Sequence, residues 1–228
     1  MDPAPEHPHR HEQPHAPSRG HGHSHDRGWA GVVRYARLLP VMWRSEVSTA
    51  VVALAAPVRG ERVVDLGSGM GPATVEAARR GASVVAVDPT PFMRHLLSVR
   101  RLAQRARRGI SVVDGAAEAI PVVDGSIDAL WSVNSMHHWT DLARALGEIH
   151  RVLRPGGRLV LVDEDFDNPA HPFHAALQRR RAGHGHPFEA IDPVDVAGRL
   201  RRLGFESVHG ALEPMAGRPA KVVRGSKG

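Results

Sequence analysis

The run from Val63 to Pro72 limits most what this chain can fold into. Two β-branched residues lead to Asp65 and Leu66, glycines stand at 67, 69 and 71, and Pro72 opens Ala73-Thr74-Val75-Glu76-Ala77-Ala78. A short β-branched segment favours a strand. Pro72 suits the first turn of a helix, where its missing N–H removes a donor that has no partner anyway. Between the two, a Cβ would obstruct both a left-handed turn and the approach of a ligand to the main chain, so glycines are needed. The predicted unit is a strand, a tight loop and a helix N-terminus. It is not the dinucleotide fingerprint G-x-G-x-x-G. Position 72, where that pattern places its last glycine, is proline, and the third glycine comes one residue early.

The pattern of short apolar strands and longer helices continues. Strands are predicted over 62–66, 83–87, 110–113, 127–132 and 158–163, and helices over 74–80, 92–107 and 142–153. Such alternation argues for a parallel sheet with helices on both faces. Residues 29–56 read as mainly helical, with an apolar stripe of Trp29, Val32, Val33, Ala36, Leu39 and Trp43 that Pro40 kinks or divides. A further helix is expected over 193–203. Strands then follow over 205–212 and 219–224, around Ala216-Gly217-Arg218.

Several separate segments fall in one order: Asp65 with the glycine loop, then Ser83-Val84-Val85-Ala86-Val87-Asp88, then Asp114-Gly115-Ala116-Ala117-Glu118-Ala119-Ile120-Pro121. Asn134-Ser135-Met136-His137-His138-Trp139 and Glu148-Ile149-His150-Arg151-Val152-Leu153-Arg154-Pro155-Gly156-Gly157 complete the series. Over roughly residues 58 to 165 this succession resembles the class I S-adenosylmethionine (SAM) dependent methyltransferases. It is similar to their type 11 group, which includes the ubiquinone and menaquinone biosynthesis enzymes. The resemblance implies an α/β, Rossmann-like fold: a mostly parallel seven-stranded sheet, helices on both faces and an antiparallel last strand. It also implies three regions: a tail over 1–28, a helical lid over 29–57 and a methyltransferase domain over 58–228.

SAM presents a charged amino-acid arm, a ribose and an adenine. The resemblance places Asp65, Gly67, Ser68, Gly69 and Gly71 at the arm, Asp88 and Pro89 at the ribose, Ala116 and Ala117 at the adenine, and Asn134 beside them. In the family the segment before Ile120-Pro121 usually reads Gly-Asp-Ala-Glu, so the carboxylate expected at the adenine amino group is replaced by Ala116. Asp114 is a poor substitute, since a shift of one residue on an extended segment points a side chain to the other side. Enzymes that methylate base amines commonly carry Asp/Asn-Pro-Pro-aromatic after the fourth strand. Asn134-Ser135-Met136-His137 lacks the prolines, which points to a small-molecule acceptor. His137 and His138 are candidate bases, because imidazole titrates near neutrality. No base is strictly required, since proximity and orientation alone accelerate an in-line methyl transfer greatly.

Composition narrows the chemistry. With no cysteine in 228 residues, disulfides, thiolate ligands and Cys-adduct methylation are excluded, and so is the cysteine-dependent arsenite branch of the resembled group. A net charge of +6 and a pI near 11.0 raise nucleic acid as a partner. The basic residues are almost all arginine, however, with lysine only at 221 and 227. Their densest run, Arg94, Arg100, Arg101, Arg105, Arg107 and Arg108, reads as the solvated face of one helix, so no nucleic acid is expected. No segment reaches the roughly 20 apolar residues of a membrane span, and Met1 to Arg27 lacks the apolar core of a signal peptide. A soluble cytoplasmic protein is the expectation.

The Pro- and His-rich tail contains His7, His9, His11, His15, His21, His23 and His25 and is expected to be disordered. His21, His23 and His25 alternate and suit loose binding of Zn, Ni or Cu. A second metal candidate is the acidic segment 163–168 with His171, His174, His184 and His186. Against it, acids after a strand often cap the next helix. Two other function classes are open to such a sheet. Short-chain nicotinamide oxidoreductases need Tyr-x-x-x-Lys, but the only tyrosine is Tyr35 and position 39 is leucine. A non-catalytic SAM- or metal-binding protein that works through its tail is the remaining alternative.

Overall fold

The computed structural model describes residues 43–181 and 191–228. The His-rich tail, the stripe from Trp29 to Leu39, and His184 and His186 lie outside the described residues. In chain order the elements are α1 (Glu46–Ala55), β1 (Arg62–Leu66), α2 (Pro72–Arg79), β2 (Ser83–Asp88), α3 (Pro91–Leu102) and β3 (Ile110–Asp114). They continue with β4 (Ile127–Val133), α4 (Leu142–Val152), β5 (Leu153–Glu164), α5 (His174–Arg181), α6 (Pro193–Arg202), β6 (Phe205–Met215) and β7 (Arg218–Lys227).

The seven strands form one sheet in the order β3-β2-β1-β4-β5-β7-β6. The first five strands in the chain pair in parallel, and β7 runs antiparallel to both β5 and β6. This is the architecture expected above. Alternate residues on the central strands enter separate cores, because successive side chains leave a strand on opposite faces. On β5, Leu159 and Leu161 join one cluster with Leu146 and Ile149 of α4 and Leu200 of α6. Val160 and Val162 join the other, with Val47 and Val51 of α1 and Val75 of α2.

Two boundaries and one added helix differ most from the sequence expectation. The helix expected over 92–107 stops at Leu102, and a 3-10 turn at Arg107–Gly109 precedes β3. β5 begins five residues early because it passes through Pro155-Gly156-Gly157. A Cβ at Gly157 would lie 2.8 Å from the Arg154 carbonyl and 3.1 Å from that of Ile127, so only glycine lets this irregular stretch keep its place beside β4. Helix α5 was not expected, since the segment after β5 reads as a polar loop. At the end of the chain, Ala216 and Gly217 both have positive φ (50° and 73°), the geometry of a two-residue hairpin turn.

Candidate functional site

Ligands of open α/β sheets bind outside the carboxyl ends of the strands, where the strand order reverses. Here the order reverses between β1 and β4. The glycine loop lies at that point. It is tied to the neighbouring strand by bonds from Gly67 N and Ser68 N to the Val87 carbonyl, at 2.8 and 3.0 Å. Gly69 N donates to Asp88 Oδ2 at 2.7 Å, and Thr90 N donates to Asp88 Oδ1 at 2.8 Å. One carboxylate thus fixes both the loop tip and the entry to α3, whose first turn follows Pro89 and Thr90. Burial pushes the Asp88 carboxyl up, against the pull of the Thr90 and Gly69 amides.

The glycines do different work. At Gly67 (φ 71°) an added Cβ would overlap Ser135 Oγ and Cβ, so this glycine lets the loop pack on the segment after β4. At Gly69 (φ 51°) a Cβ would meet nothing within 4 Å. Beside it, Ser68 Oγ is buried and has no hydrogen-bond partner among the described residues. A buried polar atom without a partner is uncommon, and this one suits a ligand's polar group.

Asp65 stands lower, at the end of β1. Its Oδ2 accepts from Thr74 Oγ1 at 2.5 Å, linking the strand to the first turn of α2. Burial pushes its carboxyl up to about 6, against the Thr74 bond. On the β3 side, Asp114 pairs with Arg94 at 2.7 Å, and its side chain is 73% exposed. Ala116 bridges Ala119 in a narrow turn. Glu118 Oε1 holds that turn against α4 by accepting from Thr140 N and Asp141 N, and Ala117 beneath is buried.

Beyond β4, Asn134 takes a left-handed conformation (φ 54°) and exchanges side-chain-to-main-chain and side-chain bonds with Glu164. Glu164 Oε2 also meets His171 Nε2 at 2.9 Å and Arg218 Nη1 at 3.0 Å. Next to it, Asp163 accepts from the main-chain N–H groups of Ser135, Met136 and His137 at 3.0 to 3.3 Å. Its Oδ2 lies 2.8 Å from His137 Nδ1. His137 is half-buried and His138 is exposed, with ring centroids 4.1 Å apart. The structure therefore places the acids 163 and 164 on the post-β4 loop, His171 and Arg218. Among the described residues, no group of three or more His, Asp or Glu side chains is placed to hold a metal. Asp163 as the partner of His137 escaped the sequence reading. The available signal was an acid ending β5 beside a histidine pair ending β4.

The arginine run is also corrected. Arg94 donates to the Asp88 carbonyl, Arg101 to that of Ile110, and Arg100 to those of Met70 and Trp43. The Arg100 guanidinium also lies over the Trp43 ring, 4.4 Å from its centroid. These three tie α3 to the glycine loop and to the neighbouring strands β2 and β3, while Arg105, Arg107 and Arg108 form the exposed remainder.

Comparison with known proteins gives the same family as the motifs. The profile of the family described as "Methyltransferase domain" matches residues 64–161. An uncharacterized methyltransferase of Mycobacterium tuberculosis is 48% identical over 106 residues, covering 46% of this chain and 41% of the relative. The ubiquinone/menaquinone biosynthesis C-methyltransferase of Rubrivivax gelatinosus is 36% identical over 129 residues, covering 54% and 47%. The chain thus spans less than half the length of these relatives. A putative SAM-dependent methyltransferase of Methanococcus maripaludis superposes with a TM-score of 0.64 at 18% identity, over 85% of this chain and 91% of that one. Residues 64–161 thus match the methyltransferase domain family, and the fold is that of solved SAM-dependent methyltransferases.

Proposed function

We propose that this protein is a SAM-dependent methyltransferase that transfers a methyl group to an O, N or C atom of a small molecule. The observation that carries the reading is the Gly69–Asp88 hydrogen bond, which makes the glycine loop and the second acid one platform at the strand tips. Asp65, Gly67, Ser68, Gly69 and Gly71 would hold the methionyl arm, Asp88 and Pro89 the ribose, Ala116 and Ala117 the adenine, with Asn134 at the edge. A carboxylate offers about four acceptor sites, so Asp88 can serve two main-chain amides and still receive ribose hydroxyls. When bound, SAM supplies an electrophilic methyl on a sulfonium. The protein's part is to hold donor and acceptor in line. We also read His21, His23 and His25 as loose chelators of divalent metal. No helix among the described residues is long and apolar enough to cross a membrane.

Calorimetry with SAM and with NADH tests this. SAM is expected to bind in the micromolar range and NADH not at all. Asp88→Ala is expected to weaken SAM by roughly 1–3 kcal/mol through lost charge-assisted bonds. Because Asp88 also anchors Gly69 and Thr90, Asp88→Asn and a thermal melt separate lost contact from lost loop. Unchanged SAM affinity in a folded Asp88→Ala protein, or tight NADH binding, refutes the assignment.

A further inference from the structure

We infer that this site holds SAM without reading the amino group of its adenine, so that nucleosides of the SAM type altered at the purine 6-position bind as well as SAM itself. The inference rests on the methyltransferase reading above. One half of the sheet has the order β3-β2-β1, and Asp88 at the end of β2 is in register with Asp114 at the end of β3. A ligand with its amino-acid arm on the loop after β1 and its ribose on Asp88 therefore carries its base onto the next strand end, the turn after β3.

That turn is closed and clamped. A Cβ added to Gly115 would lie 2.6 Å from Pro121 Cδ and 3.0 Å from Val87 Cγ1, so the two ends of the turn press on each other and on β2. Across it, Ala119 N donates to the Ala116 carbonyl at 3.1 Å. From α4, Glu148 accepts from Ile120 N at 2.9 Å, and Arg151 donates to the Ile120 carbonyl at 2.9 Å. Arg144 donates to the Glu118 carbonyl at 2.8 Å. These ties oppose a one-residue slide that would bring a different side chain to the tip.

An adenine amino group is a hydrogen-bond donor, and a carboxylate is the side chain that reads a donor most strongly. Among the described residues, three carboxylates belong to the ends of β2 and β3 and to this turn, and each is engaged elsewhere. Asp88 accepts from Gly69 N and Thr90 N and is assigned to the ribose. Asp114 turns to Arg94 of α3 at 2.7 Å. Glu118 accepts from Thr140 N at 2.6 Å, Thr140 Oγ1 at 3.0 Å and Asp141 N at 3.1 Å. What the turn offers a base is apolar: half-buried Ala116, with Ala117 and Ile120 buried below.

The rim is open to water, since Asp114, Ala119 and Pro121 are exposed. A base lying here keeps its amino edge hydrated. A donor bonded to water both before and after binding contributes little, and deleting it costs the site little. A site built to hydrogen-bond a ligand group behaves in the opposite way, because it rejects the analogue that lacks the group. Selection here falls on the arm and the ribose.

Calorimetry of the full chain tests this without turnover. The ligands are S-adenosylhomocysteine, the stable product of methyl transfer, and its 6-desamino analogue, in which hydrogen replaces the amino group. The two dissociation constants are expected to agree within about threefold. Ala116→Asp places a carboxylate at the tip. It is expected to tighten S-adenosylhomocysteine by roughly 5- to 50-fold and to leave the analogue no tighter. Ala116→Asn, with a neutral acceptor of nearly the same shape, is expected to act in the same direction by less and stands in if the acid does not fold by thermal melt. Wild-type protein that binds the analogue about tenfold weaker or worse overturns the inference. A folded Ala116 variant that fails to discriminate between the two compounds overturns it as well, because the base then lies elsewhere. Failure of either compound to bind at all, together with SAM, overturns the methyltransferase reading instead.

Discussion

Alanine at Gly67 and at Gly69 separates the structural from the binding work of the loop. Both glycines have positive φ, 71° and 51°, so alanine at either incurs the left-handed penalty of about 1–2 kcal/mol. At Gly69 the stability loss should end there, because the new methyl meets nothing within 4 Å. At Gly67 the methyl overlaps Ser135 Oγ and Cβ, and forced overpacking adds about 1–3 kcal/mol. Gly67→Ala should therefore lose about 2–5 kcal/mol and Gly69→Ala about 1–2 kcal/mol in urea titrations at constant slope. Affinity should not follow the same order of severity: the Gly69 methyl would intrude where the methionyl arm is proposed to lie. It should weaken SAM by about 1–3 kcal/mol, roughly 5- to 150-fold by calorimetry, despite the milder loss of stability. A Gly69→Ala protein that binds SAM as tightly as wild type refutes the loop assignment. Equal stability losses at the two positions refute the packing argument.

Asp65 should make stability fall as pH rises. Its folded carboxyl sits at about 6 against an unperturbed 3.8, so the native state binds the extra proton between those values. At about 1.4 kcal/mol per unit, the wild type should lose about 2.4 kcal/mol relative to Asp65→Asn between pH 4 and pH 7. Urea unfolding of both proteins across that range measures it, and a flat difference contradicts it. Removing residues 1–28 should leave SAM affinity and melting temperature nearly unchanged and remove most Zn²⁺ or Ni²⁺ uptake. Metal binding that survives the deletion would move the site to the His-containing segment after β5.

The order of strands and helices was legible in the sequence because it depends on local signals. The β-branched runs, Pro72 at a helix start, the spaced glycines and the Ala216-Gly217 turn each act within a few residues. The expected strand 62–66 and the terminal hairpin of β6 and β7 follow from such signals. Where local signals were misleading, tertiary contacts explain it. Pro155, Gly156 and Gly157 fall outside the expected strand 158–163, yet Gly157 lets β5 start at Leu153 by passing close to the Ile127 carbonyl of β4.

What only the tertiary structure decided is which polar groups meet. Asp163 reaches a histidine 26 positions earlier, Asn134 a glutamate 30 later, and Arg100 the carbonyl of Trp43, 57 positions away. Sequence marks these side chains as capable of such bonds, but their partners depend on strand order. Parallel crossovers set β4 beside β5 and bring their carboxyl ends together, so an acid that reads alone as a metal ligand or a helix cap becomes the clasp of a histidine.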